Sequence, residues 1–321
     1  NAKKEKKKPK KTDRHTRAFP FVPCYRRTLS TKLHHVPPSP AAELQITIMS
    51  KDAASSTSVY TNVEKKETYN SLDDILREKC SSDSLKTVIK DLMAACVSIS
   101  TALRTALVTV EGSSNTFGDT LLSVDVIADK LLWDAAHKSS AIREAASEED
   151  PVVRPTPGGG GGGTAPATEY TVCWDPLDGS SIVDNNWAVG TMIGVWNAAT
   201  GLIGATGRDQ LTALVAQYGP RLTVLVALDD GVYEFTHGSD AGTTTSRSPW
   251  ICSRERIAIS PRSKIFSPAN LRAAQDLSRY ETLVSYYMTN RYTLRYTGGM
   301  VPDVYQQFTK GMGVFANPTS A

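Results

Sequence analysis

Cysteine is sparse: five residues in 321, at positions 24, 80, 96, 173 and 252, with no CxxC pair and no histidine at ligand spacing. That pattern excludes a zinc-ribbon or zinc-finger site and a disulfide framework, and a reducing compartment is expected. Long apolar runs are missing too: none approaches the length needed to span a bilayer. No charged-then-apolar secretory signal stands at the start, so no membrane partner is expected. Acidic residues are nearly absent from the first 48 positions, which carry twelve Lys/Arg against three Asp/Glu, while the other 273 hold 24 basic and 30 acidic. The body is therefore mildly acidic. KKEKKKPKK (3–11) has the charge of a nucleic-acid arm, but it has neither interleaved aromatics nor a basic folded partner, and no nucleic-acid partner is expected.

The first methionine is Met49. Residues 1–48 are accordingly expected to be a targeting leader or translated upstream sequence, with MSKDAASS as the start of the working protein. A cytoplasmic location follows from that start; the chloroplast stroma or another organelle is the alternative. Hydrophobic residues make up 40% and charged residues 21%, ordinary for a globular protein. The length suits one large or two medium domains.

Patterning supplies the elements. SLDD (71–74) reads as a helix start capped by Ser71. Leu85, Val88, Ile89, Leu92, Cys96, Ile99 and Leu103 form one stripe, which predicts an amphipathic helix over 84–106. GDTLLSVDVIADKLLWDAA (118–136) predicts another, with Asp125 and Asp129 one turn apart on the same side. PVVRPTPGGGGGGTAPA (151–167) reads as a surface loop. Beyond residue 170 strands are expected in YTVCW, WAVGTMIGVW, GLIGAT and RIAIS (256–260), and a hairpin in LTVLVAL-DDG-VYEFT. GRDQLTALVAQYG (207–219) reads as a helix ended by Gly219, and another helical stretch is expected over about 269–289.

Three acidic clusters remain: GDTLLSVD with Asp119 and Asp125, ASEED with Glu148 and Glu149, and WDPLDGSS with Asp175 and Asp178. WDPLDGSS taken alone is ordinary turn chemistry. If the three converge, each pair of carboxylates about 4 Å apart repels by roughly 4 kcal/mol at an effective dielectric near 20. Hard dications relieve that repulsion, and magnesium in particular joins a few carboxylates to phosphate oxygens. Gly179 permits close backbone approach, and the amides of Gly179, Ser180 and Ser181 can form a cradle for an anion.

The order GD…D, then EED, then DPLDGSS resembles the metal-dependent sugar phosphatases of the fructose-1,6-bisphosphatase class 1 family, from about Ser71 onward. Ile182 in DGSSIVD, FSPANLRA (266–273) and YTLRYTGGMVPDV (292–304) resemble the sedoheptulose branch of that family. The resemblance implies an α/β fold, a layered α/β/α/β/α sandwich with mixed sheets. It implies a phosphatase domain with the metal site over 49–260 and a substrate-binding domain, truncated at its C-terminus, over 261–321. It also implies two or more magnesium ions held by Glu148, Asp175, the Leu177 carbonyl and Asp178. Asp119, Asp125 and Glu149 would act on the attacking water. Asp178, Gly179, Ser180 and Ser181 would hold the departing phosphate, and Asn270, Arg295, Tyr296 and Met300 the sugar and its far phosphate. Read without the resemblance, Arg295 is a surface charge, and Tyr296 and Met300 belong to a packed core.

The implied reaction is hydrolysis of the 1-phosphate of sedoheptulose 1,7-bisphosphate by a metal-activated water, in a homo-oligomer. Fructose 1,6-bisphosphate, or both sugars, is the alternative substrate, and a non-catalytic relative the alternative role. The chain ends at GVFANPTSA where the family continues, so a fragment lacking a further acidic ligand and a cationic clamp is expected. TVEGSSNTFGD (109–119) contains no cysteine, so thiol control through that loop is not expected.

Overall fold

The computed structural model describes residues 69–114, 120–157, 170–238 and 248–319, all within one compact unit that spans residues 62–321. The basic segment 1–48, Asp119 and most of the glycine-rich loop lie outside the described residues.

Ser71 caps helix α1 (Leu72–Lys79) as its sequence suggests: its Oγ accepts from the Asp74 amide at 3.2 Å, and Asp74 accepts from the Ser71 amide at 3.0 Å. The capping box thereby satisfies two of the amides at the start of the helix, those of Ser71 and Asp74. Ser71 is fully buried, so Ser71→Ala should cost about 1–2 kcal/mol. Urea unfolding with an unchanged m-value checks this. Helix α2 (Asp83–Leu103) follows and buries Val88, Ile89, Leu92, Cys96 and Ile99 from the predicted stripe. After the short strands β1 (Val110–Ser114) and β2 (Thr120–Leu122) comes α3 (Ser123–Lys138). The helix expected from 118 thus begins at 123, after a strand.

Eight strands make the main sheet, in the order β10-β9-β8-β7-β6-β5-β3-β4. In chain order they are β3 (Ile142–Ser147), β4 (Arg154–Pro155), β5 (Tyr170–Asp178), β6 (Val189–Asn197), β7 (Thr212–Tyr218), β8 (Leu222–Leu228), β9 (Gly231–His237) and β10 (Trp250–Arg254). Only β3 and β5 pair in parallel, so the sheet is mixed. Three expectations fail here. TALVAQY is strand β7 rather than a helix; its Thr212, Leu214, Ala216 and Tyr218 are buried in strict alternation, which is the strand period. GLIGAT forms turns, with Gly201 and Gly204 at positive φ and Ile203 91% exposed. RIAIS is irregular, and the last strand of the sheet lies just before it at β10.

A second, parallel sheet has the order β12-β11-β13, from β11 (Ile265–Pro268), β12 (Thr293–Leu294) and β13 (Val314–Ala316). Helix α5 (Ser278–Thr289) stacks Tyr287 on Phe266 of β11 at 4.9 Å. Helix α6 (Met300–Lys310) lies between the two sheets, touching β6, β7 and β13. Alternation along β6 separates the layers: Thr191 faces Tyr218 on the α2 side, and Gly190 faces Val301 of α6 on the other. Helices α2 and α3, the main sheet, α6, the small sheet and α5 thus form the expected α/β/α/β/α sandwich.

Candidate active site

β5 carries aspartates three apart, which a regular strand would turn to opposite faces. The ladder breaks between them: Asp175 pairs with Met192 and Asp178 with Gly190, so three steps on β5 match two on β6. The extra residue is a bulge. Pro176 has no amide to give the ladder, and Thr191 Oγ1 donates to its carbonyl at 2.8 Å. The bulge brings Asp175 and Asp178 to one side, and both line the same cleft of about 630 Å³.

Glu148 reaches that cleft from the end of β3. Because β3 runs parallel to β5, its exit lies beside the aspartates, and the Glu148 amide donates to the Trp174 carbonyl at 2.9 Å. Asp129 fixes this corner by accepting from Ser147 Oγ at 2.5 Å and Trp174 Nε1 at 2.9 Å. Although it shares a helix face with Asp125, Asp129 therefore serves as a brace. Asp125 lines the cleft from the first turn of α3, 3% exposed, with Oδ2 accepting from the Leu122 amide at 3.0 Å. Glu149, Leu177, Gly179, Ser180 and Ser181 complete the predicted lining, the last two on the short helix α4 (Ser180–Val183) entered through Gly179 at φ +99°.

The electrostatics of the cleft centre on Glu148. Burial pushes Asp125 up to about 6, opposed by the Leu122 amide and reinforced by the Glu148 charge. Burial pushes Asp175 up to about 8. The charges of Glu148 and Asp178 and a hydrogen-bonding contact with Glu148 add to that rise, while the Leu177 amide opposes it. Asp178 is also raised, by burial first; the Val301 and Met300 amides oppose the rise, and Asp303 and Glu148 add to it. One carboxylate is thus felt by three others, an arrangement that favours a proton or a cation among them.

The donor chemistry fits a hard dication: carboxylates with the Leu177 carbonyl, and no thiolate or imidazole. Convergence is incomplete, since among the described residues no three His, Cys, Asp or Glu side chains stand together closely enough to hold an ion. Asp178 is held by other partners. Its Oδ1 accepts from the Met300 amide at 3.0 Å and its Oδ2 from the Val301 amide at 2.6 Å, so it is drawn to the start of α6. Each oxygen keeps a second lone-pair direction for another partner.

A second cleft of about 500 Å³ adjoins the first, and Asp178 and Gly298 line both. Asn270, Tyr296 and Met300 line the second, with Tyr296 47% and Met300 40% exposed, so neither belongs to a packed core. Arg295 is exposed and lines neither cleft. Asp184 and the hold of the α6 amides on Asp178 are site features that the sequence did not flag, whereas Gly298 falls within the run Arg295–Met300 assigned to the sugar. The only local signal for that hold was the glycine pair before Met300.

The chain matches the family description "Fructose-1-6-bisphosphatase, N-terminal domain" over residues 62–248 and "Fructose-1-6-bisphosphatase, C-terminal domain" over 259–321. It is 40% identical over 260 residues to a chloroplastic sedoheptulose-1,7-bisphosphatase of Spinacia oleracea, covering 80% of this chain and 63% of the spinach protein. It is 34% identical to a class 1 fructose-1,6-bisphosphatase of Pelobacter propionicus, covering 76% of this chain and 70% of the bacterial one. Among solved structures, one from Toxoplasma gondii, provisionally named a sedoheptulose-1,7 bisphosphatase, superposes with a TM-score of 0.67 at 42% identity and covers 78% of each chain. The holo fructose-1,6-bisphosphatase of Leishmania major shares the fold at a TM-score of 0.65 and 23% identity, covering 75% of this chain and 76% of its own.

Proposed function

The chain belongs to the fructose-1,6-bisphosphatase family, and from that premise we propose that it hydrolyses a phosphate ester of a sugar bisphosphate in the cleft around Glu148. The observation that carries this reading is that Asp125, Glu148, Glu149, Asp175 and Asp178 line one cleft beside the Gly179–Ser181 turn. Glu148, Asp175, the Leu177 carbonyl and Asp178 would hold divalent cations, magnesium being the ion suited to few carboxylates plus phosphate oxygens. Such an ion, when bound, polarises the phosphoryl group and lowers the pKa of a water.

The chain's own residues orient the rest. Asp125 would act as the carboxylate base that takes the proton of the attacking water. Its Oδ2 is engaged by the Leu122 amide, which leaves Oδ1 to accept. Glu149 lines the same cleft and shares in orienting that water; Asp119 is assigned to the same task by resemblance alone. The Gly179–Ser181 turn would hold the departing phosphate. Asn270, Tyr296 and Met300 in the adjoining cleft would hold the sugar and its second phosphate, and remote binding there would orient the reacting end. Arg295 would join them through movement of its exposed side chain.

Sedoheptulose 1,7-bisphosphate is the substrate we favour, with cleavage at the 1-phosphate; the support is the 40% identity to the spinach enzyme against 34% to the bacterial fructose enzyme. Side-by-side kcat/KM on both sugars decides between them, and a ratio favouring fructose 1,6-bisphosphate overturns the choice. The "chloroplastic" in the names of the plant and algal relatives supports the stromal alternative over the cytoplasm. No helix among the described residues is long and apolar enough to cross a membrane. Chelation gives the direct check on the metal: phosphate release should fall at least a hundredfold in EDTA and return on adding magnesium, an effect of the size expected when a catalytic electrostatic element is withdrawn. Release undiminished by the chelator would remove the metal from the reading.

A further inference from the structure

We propose that Asp303, which lines the edge of the second cleft but not the reacting one, is the positioning residue that sets the span between the two clefts. The inference rests on the bisphosphatase reading above and adds to it which residue measures the length of the substrate.

Asp303 lies on the first turn of α6 and is fully buried. Its carboxylate accepts from the Thr297 amide at 2.8 Å and from the Gly298 amide at 3.2 Å. Two backbone donors of one turn are therefore tied to one side chain of the helix that follows. Burial raises its pKa, while these two amides and the Thr297 side chain hold it down. The Gly299 amide in turn donates to Thr297 Oγ1 at 3.3 Å, which closes the turn on itself.

That turn is the partition between the clefts. Gly298, at φ +106°, lines both, and the two residues after Gly299, Met300 and Val301, donate their amides to Asp178, which also lines both. The other side of the turn rests on Ile182 of α4: a Cβ at Gly298 would stand 3.2 Å from Ile182 Cγ2, and one at Gly299 would stand 3.1 Å from Ile182 Cδ1. The partition is thus gripped between Asp303 on one side and Ile182 on the other. Ile182 belongs to the helix that carries Ser180 and Ser181, so this grip sets how far the second cleft stands from the phosphate turn. A ligand that spans both clefts feels any change in that distance. A ligand confined to the first cleft feels it only through Asp178 and Gly298, and so more weakly.

Asp303→Asn keeps the shape but presents an amide N–H to one of the two donors, leaving that donor without an acceptor and freeing the turn. We expect the affinity for a sugar bisphosphate, measured by calorimetry with magnesium present, to fall about tenfold or more, with the affinity for inorganic phosphate unchanged within about twofold. In steady state KM for the bisphosphate should rise by a similar factor, with kcat falling less. Ile182→Val removes a single methyl group from the opposite support. It keeps the proposal testable if Asp303→Asn does not fold, and it should change the bisphosphate-to-phosphate affinity ratio in the same direction by a smaller factor. Equal losses for both ligands, or no change in their ratio in either variant, overturn the proposal. Absence of turnover in the unaltered protein counts against the bisphosphatase reading and leaves the affinity ratio as the readout for Asp303.

Discussion

Replacing Asp175 by Asn should reduce phosphate release by about a thousandfold and, in the metal-free protein at neutral pH, raise stability. The two effects have one cause. Asp175 is pushed up to about 8 by burial and then by the charges of Glu148 and Asp178, against an ordinary 3.8. Between those values the folded state binds more protons at this site than the unfolded state does. The stabilisation it offers is therefore complete only at low pH and is lost as pH rises through the folded value. Asn carries no charge at any pH and escapes that loss. The gain at pH 7 should be about 2 kcal/mol, less than the full shift implies, because relaxation and water entry soften the repulsion. It should shrink toward pH 4.

Saturating magnesium should reverse the order. An ion that binds only the folded state adds about 2.7 kcal/mol at a hundred times its Kd, and Asp175→Asn forfeits most of that. Thermal unfolding of both proteins at pH 4 and 7, in EDTA and in magnesium, tests the sign without any assay of turnover. A wild-type protein more stable than Asp175→Asn in EDTA at pH 7 would sink the claim that the carboxylates are held together against their own repulsion.

Much of this site was legible because its chemistry is written in contiguous runs. WDPLDGSS, ASEED and SVD each keep their carboxylates within a few residues of a strand or helix end, where turn and capping rules apply. Their convergence was a condition in the reading of the residues, and the resemblance to the family supplied it. What the sequence could not show is orientation. Asp178 has the same residue type and local pattern as Asp175, yet its carboxylate is drawn to the amides of Met300 and Val301, more than 120 residues away in the chain. Asp129 looked equivalent to Asp125 on a helical wheel, but Ser147 and Trp174 claim it.

The fold errors have a related origin. TALVAQY has apolar residues at nearly every position, so helical and strand periods fit it about equally, and only the strands flanking it decide. RIAIS alternates as a strand should, but past β10 its backbone makes single hydrogen bonds to different partners, Ile257 to the Val232 carbonyl of β9 and Ser260 to the Gly311 carbonyl, instead of a ladder.

Gly190 is the position where that limit of sequence reading has its largest structural consequence. It stood out only as one glycine in an apolar strand, and Gly190→Ala, which adds one methyl group, should destabilise the protein by about 3 kcal/mol or more. The new Cβ would lie 2.2 Å from Val301 Cγ1 and 2.5 Å from the Ala216 carbonyl oxygen. The second neighbour is backbone of the central strand β7 and cannot yield. The first is the buried Val301, whose amide holds Asp178. Relief of the first contact requires α6 to move off the sheet, which opens the Asp178 clasp and withdraws the partition between the clefts, while the contact with Ala216 strains the pairing of β6 with β7. Activity should fall with stability, unlike the opposite changes expected of Asp175→Asn. Gly207→Ala is the control: no atom lies within 4 Å of a Cβ there, so it should stay within about 0.5 kcal/mol of the unaltered protein. Urea midpoints at constant m-value separate the two outcomes. If Gly190→Ala unfolds within 1 kcal/mol of the unaltered protein, α6 is not seated on β6 as described, and the link from the sheet through α6 to Asp178 fails with it.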